Sequence, residues 1–385
     1  MNQAFRNFSS AIPSYSLVEL TLIFSLSVFP LFAFETETPG QEVLSEPQPH
    51  WIWVGGLGGQ IALWDPDNAR YLATISNGVG LMKLQFPKNS PKIYSAETYY
   101  SRGSYGERTD VIVVYDSHSL NPIDEIIIPS KTYDGMSLEQ LTGLTGNERF
   151  MLVFNMTPSQ SVSVADLEKK KFVEEINTSG CALVYPTKKQ SFHSLCAGGG
   201  LLHVQLNDDG SLKDKALFER FFDVGKDPIM EKGVRRQDTW FYTSFSGMIY
   251  SVDFSSSTPV YLPIWSLVSD KERDDKWKPG GIWPVSLHEK SNKMYVLMHQ
   301  GGIDTHKDPG KEIWVFDLDK KIKIKTIYLD NPATSIKITQ DNKPILLASS
   351  EDTLAIEVYD LVSDKRIRTL NNVGTMVLNL MQTMR

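Results

Sequence analysis

One unit recurs along most of this chain: an apolar strand, a second strand closing on Asp or a neighbouring polar residue, a turn, and another strand. The clearest copies are QIALWDPDNARYLATI, DVIVVYDSHSLNPIDEIII, SVSVADLEKKKFVEEI, IYSVDFSSSTPVYLP, EIWVFDLDKKIKIKTIYL and AIEVYDLVSDKRIRTL, and LLHVQLNDDGSLKDKALF is a weaker one. Their marking aspartates are Asp65, Asp116, Asp166, Asp208, Asp253, Asp317 and Asp360, spaced 42 to 64 residues apart. Within each copy apolar and polar residues alternate with period two, which half-buried strands require. An aspartate suits the end of such a strand, because its carboxylate accepts from backbone amides two residues on. Repeats of 40 to 50 residues with about four strands each mark a β-propeller. Seven marks predict an all-β, seven-bladed β-propeller. The best helical signal is SLVSDKERDDKW at 266–277, inside the longest interval.

The N-terminus sets the compartment. Arg6 precedes an apolar run from about Leu17 to Phe34, and a segment rich in Glu, Pro and Gly follows. That order describes a secretory signal peptide, with Leu31-Phe32-Ala33 as the cleavage triplet. Residues 1–33 are therefore expected to be removed, leaving 34–385 as a single propeller domain. A retained anchor is the alternative, although Glu19 and Pro30 interrupt the run and a spanning helix wants about 20 clean apolar residues. The segment carries Arg6 and Glu19, so the formal charge of −7 survives its removal. An acidic chain of this kind lacks the clustered basic surface of a nucleic-acid binder. With no other segment apolar enough to span, no membrane contact is expected after cleavage.

Cys181 and Cys196 are the chain's two cysteines. Export favours an oxidised pair. The stretch CALVYPTKKQSFHSLC reads as two adjacent strands joined by a turn at Thr187–Gln190, which would bring the Cα atoms to about 5.5 Å. A bridge is the expectation, and two free buried thiols are the alternative. The seven histidines are scattered, without HExxH spacing; His299 and His306 share the loop HQGGIDTH. GGLGGQ at 55–60 lacks the following helix and Lys-Ser/Thr of a phosphate loop, so it reads as a strand turn. No GxSxG nucleophile elbow occurs. The expected result is a chain with no catalytic residues, no cofactor and no metal of its own.

Five stretches in collinear order resemble one family, the heavy subunits of the quinoprotein amine dehydrogenases acting on methylamine and aromatic amines. They are RGSYGERTDVIVVYD (102–116), CALVYPTKKQSFHSLC (181–196), FYTSFSGMIYSVDF (241–254), DDKWKPGGIWPVSLH (274–288) and THKDPGKEIWVFDL (305–318). The resemblance implies a periplasmic propeller, two copies of which pair with two small light subunits. It implies that the light subunit carries tryptophan tryptophylquinone and the catalytic base, and that electrons pass to a blue copper protein such as amicyanin or azurin. It also places a disulfide at Cys181 and Cys196.

One family role carries to a position. A Phe bordering the amine channel, in a Gly-Phe-Leu stretch, is matched here by Leu81 in Gly80-Leu81-Met82. The departure would admit larger amines than methylamine, with Leu81 and Met82 lining the channel. Arg108, two residues before Asp110 on one strand, shares its face and is a candidate for pairing across blades or for the light-subunit contact. Trp277 and Trp283 flank a Pro-Gly-Gly turn in the long interval and could present aromatic surface to a partner. The rival reading is a stand-alone exported propeller that binds a ligand or protein without enzyme activity.

Overall fold

The alternating stretches fold as antiparallel strands. In the second copy, Tyr105–Asp116 pairs with Lys92–Arg102 on one side and Pro122–Ile128 on the other. The structure, a computed structural model, describes residues 43–55, 59–88, 90–350, 352–373 and 380–384. The expected signal segment 1–33 lies outside the described residues. The strands form seven sheets in chain order, each a blade, and the prediction of a seven-bladed propeller is met.

Blade one contains Ile52–Gly55, Gln60–Asp65 and Arg70–Ser76; its innermost strand, Leu380–Thr383, comes from the other end of the chain. Ile52 pairs with Thr383 and Gly55 with Leu380. Blades stack face to face around an axis, so their middle strands are covered on both sides. Phe150–Asn155 and Ser161–Asp166 in blade three are buried at every position. Outermost strands meet water on one face, and Lys171–Asn177 and Leu212–Phe218 carry the charges that this requires. Blade six adds a fifth strand: Trp277–Pro279 and Val285–His288 both pair with Lys293–Gln300. The predicted helix shrinks to one turn, Asp270–Asp274, capped reciprocally by Ser269 and Glu272.

Because successive strands reverse, the connections separate onto two faces. An upper face holds the segments that enter each innermost strand and the links from second to third strands. A lower face holds the turns from third to outermost strands, and the marking aspartates lie there. Asp65 accepts from the Asp67 amide at 2.9 Å, Asp116 from Ser119 at 2.8 Å, Asp166 from Lys169 at 2.9 Å, and Asp317 from Asp319 at 3.0 Å. In the weak fourth copy the turn amide bond is made by Asp209, one residue beyond the expected Asp208.

Cys181 and Cys196 form a disulfide between the innermost and second strands of blade four. Both ends belong to one blade, on adjacent strands as expected. Their Cα atoms are 3.8 Å apart, nearer than expected. The two residues occupy a non-hydrogen-bonded pair, the closer of the two kinds of antiparallel pair: their amides donate instead to Thr178 and Gly200. Beyond the bridge, His193 stacks between Tyr185 and Phe254 with centroids at 5.1 and 4.2 Å. Burial pushes its pKa well down and keeps the ring neutral.

The bridge closes a loop with a sequence separation of 15, for which the chain-entropy account gives about 3 kcal/mol. With an unfolding entropy of about 2.1 cal/mol/K per residue, the double variant C181A/C196A should lower Tm by about 4 °C at unchanged far-UV circular dichroism. Calorimetry of variant and parent checks this, and an unchanged Tm would contradict a stabilising staple.

Candidate functional site

The residues singled out from the sequence gather on the upper face. Leu81 and Met82 precede Leu84–Gln85, the innermost strand of blade two; Arg108 lies in the hairpin between its second and third strands. Cys181 opens an innermost strand, and Trp277 and Trp283 lead into blade six. They do not form one cluster. Met82 is core, packed so closely on Gly55 that a Cβ there would lie 2.5 Å from the Met82 Cβ. Leu81 is 3 % exposed, with its carbonyl accepting from Asn77 Nδ2 at 3.0 Å.

Arg108 pairs within its own strand. Its Nε and Nη2 donate to the two Asp110 oxygens at 2.8 Å each, a bidentate geometry, and Nη2 also reaches the Thr132 carbonyl at 2.7 Å. Across-blade pairing is thus achieved through Thr132, on the segment leading into blade three. Trp277 belongs to a sheet strand, not to a free loop, and its ring packs on Trp314 with centroids 5.2 Å apart. Trp283 is buried, lines the axial cavity and donates its backbone amide to Thr334. His306 stacks on Phe245 at 3.7 Å.

Two concavities merit chemistry. The axial cavity, about 520 Å³, is walled by innermost-strand residues such as Leu84, Thr142, Val184, Val285 and Ile336. A cleft of about 290 Å³ opens on the upper face between blades two and three, against Val79, Tyr100, Arg108, Tyr133, Asp134 and Met156. Beneath this cleft lies a cluster of charges. Lys83, 1 % exposed at its side chain, donates to Asp134 at 2.6 Å. Asp110 is fully buried and accepts from Arg108, from the Thr132 amide at 2.8 Å and from the Thr132 hydroxyl at 2.9 Å. Glu97, also buried, accepts from the hydroxyls of Tyr99 and Tyr115.

Burial pushes the Asp110 carboxyl up, but Arg108 and Thr132 outweigh it and its pKa lies below the usual range. Glu97 goes the other way: burial dominates its hydrogen bonds and raises it. Sequence reading missed Lys83, Glu97 and Asp134. The available signal was the lysine at an apolar phase in GLMKLQF. Among the described residues no group of three or more His, Cys, Asp or Glu could hold a metal ion, and no helix is long and apolar enough to cross a membrane.

Around the cleft the surface is apolar. The hairpin of blade two projects beyond its neighbours and carries Tyr99 and Tyr105, 40 % and 60 % exposed, with the Arg102 guanidinium 4.6 Å from the Tyr105 ring centroid. Val79, Met136 and Met156 are exposed as well. Exposed aromatic and methionine side chains with an arginine are the residue types that interfaces favour.

Losing charge-assisted hydrogen bonds of this kind costs about 1.5–3 kcal/mol, so Asp110→Asn should destabilise the chain on that scale at neutral pH. A depressed carboxyl stabilises the fold fully above its unfolded pKa, near 4, and that contribution fades as pH falls through the lower folded value. The gap between parent and D110N in denaturant midpoint should therefore be widest at pH 7 and close below pH 4. A gap independent of pH would rule out the ionised pair as its source.

Comparison with known proteins gives a consistent result. Residues 60–384 match the family model described as methylamine dehydrogenase heavy chain (MADH). The methylamine dehydrogenase heavy chain of Methylophilus methylotrophus is 29 % identical, covering 72 % of this chain and 69 % of its own. That of Methylorubrum extorquens is 29 % identical over 82 % of this chain and 77 % of its own. Solved structures similar in fold include a functionally unknown protein from Desulfotomaculum acetoxidans, at TM-score 0.55 and 11 % identity, covering 83 % of this chain and 95 % of that one. Hydrazine synthase of Kuenenia stuttgartiensis aligns at TM-score 0.54 and 10 % identity, covering 86 % and 98 %. With a family match running from the first blade to the closing strand, this chain belongs to the methylamine dehydrogenase heavy chain family.

Proposed function

We propose that the chain is the non-catalytic heavy subunit of an exported, periplasmic amine dehydrogenase that oxidises primary amines to aldehyde and ammonia. The observation that carries this reading is the family match across residues 60–384. In it, two heavy chains pair with two light subunits. Each light subunit carries the tryptophan tryptophylquinone, which accepts the electrons of the amine, together with the catalytic base. A blue copper protein, amicyanin or azurin in kind, takes the electrons onward. This chain supplies shape: a rigid propeller whose upper face receives the light subunit and whose Gly80-Leu81-Met82 segment borders the amine's path.

Exposed apolar side chains on this face, Val79 and Met156 in the cleft beside Arg108 and Tyr105 on the hairpin, support docking on the upper face. Trp277 and Trp283 act there through packing of blade six, since their rings lie against the sheet and the axial cavity. Leu81 bears on selectivity by size. An aliphatic side chain in place of a ring leaves room for a longer or aromatic amine, and hydrophobic pockets discriminate tenfold or more per added group.

Purification from the native host should yield a complex with a short light chain and a quinone absorption band. Recovery of a lone, colourless chain would overturn the proposal in favour of a stand-alone binding propeller. In the working complex, Leu81→Phe should lower kcat/KM for phenylethylamine relative to methylamine by roughly tenfold. Steady-state kinetics on the two amines measure this, and an unchanged ratio would remove Leu81 from the channel.

A further inference from the structure

Leu81 is held at both ends of its peptide, and the two holds come from different blades. Its carbonyl accepts from Asn77 Nδ2 at 3.0 Å, on the segment leaving blade one. Its amide faces Asp134 Oδ1 at 3.4 Å, on the segment entering blade three. The same oxygen accepts from Lys83 Nζ at 2.6 Å, while Oδ2 lies 3.2 Å from Thr98 Oγ1 and 3.8 Å from Arg108 Nη2. One carboxylate thus ties together the segment carrying Leu81, the second strand of blade two and its projecting hairpin.

The approach is close. Gly80 has a φ of +153°, and a Cβ added there would stand 2.6 Å from Asp134 Oδ1, so only glycine allows the segment to lie against the carboxylate. Lys83 makes the arrangement obligatory: its buried ammonium has Asp134 as its ion-pair partner, and an unpaired buried charge is strongly disfavoured. Asp110 bonds Arg108 and Thr132, Glu97 bonds two tyrosines, and among the described residues Asp134 is the carboxylate within hydrogen-bond reach of Lys83. Asp134 itself stays 24 % exposed and forms part of the cleft wall.

We propose that Asp134 is a positioning residue: it fixes the Gly80-Leu81 segment and, through it, the width of the amine path. This rests on the reading of Leu81 as a channel residue and deepens it. Asp134→Asn keeps the shape but loses the charge; the double variant D134N/K83M removes both charges and serves if the single variant fails to fold. Asp134→Glu is the conservative control.

Two measurements decide it. Hydrogen exchange on the full chain should show the peptide covering Asn77–Lys83 exchanging at least tenfold faster in the neutral variants, with blades four to six unchanged and D134E close to the parent. In the complex with its light subunit, the ratio of kcat/KM for phenylethylamine over methylamine should shift at least fivefold in D134N, at unchanged subunit stoichiometry, and return in D134E. Parental exchange at Asn77–Lys83 overturns the pin. A working complex whose amine ratio does not move overturns the selectivity role and leaves the heavy-subunit assignment standing. A parent complex that oxidises no primary amine overturns both.

Discussion

Everything in this structure depends on closure of the ring. Seven sheets packed face to face bury their middle strands only if the first and last also meet, and they meet through Leu380–Thr383 pairing with Ile52–Gly55. Those four residues complete the inner wall of blade one. They also let Met381 sit in the cluster with Ile52, Val54, Leu347 and Val358 that joins blades one and seven. Ends more than 320 residues apart in sequence become hydrogen-bonded neighbours. A closed ring removes the exposed sheet face that an open array would present at each end, and the stiffness of the upper face follows from it.

On that stiff frame the segments of the upper face can be held by few contacts. The charged cluster by the cleft uses Lys83, Glu97, Asp110 and Asp134, from blade two and the segments on either side of it, with Arg108 as the accessible cation. Each charge is paired or multiply hydrogen-bonded, as burial demands. The exposed Val79 and Met156 then flank a polar centre of Arg108 and Asp134 in the cleft wall, an arrangement suited to a partner that must be both held and oriented.

The architecture was legible in the sequence because its signals are local. Period-two alternation, a capped turn after each third strand, and two cysteines separated by a single hairpin are all readable within 20 residues. Only the fourth copy strayed, with Asp209 doing what Asp208 was expected to do. The site was less legible because its contacts are not local. Lys83 and Asp134 are 51 residues apart, and nothing near either one names the other. Trp277 and Trp283 show the same limit: a Pro-Gly-Gly turn beside them is readable in sequence, but pairing of Trp277 with Gln300 and packing on Trp314, which draw the segment into blade six, are not.

The aspartate turns have a consequence for how such a propeller can vary. Each accepts from amides two or three residues away, and Asp166 takes Arg149 at 2.7 Å in addition, so the turns of the lower face draw on local partners and borrow nothing from the opposite side. Segments on the upper face can therefore lengthen, shorten or change charge without loosening the hairpins beneath them. The 64-residue interval that gained an extra strand and a helical turn leaves the Asp317 turn intact at 3.0 Å. One side of the ring is free to be rewritten for a partner while the other keeps the count of blades.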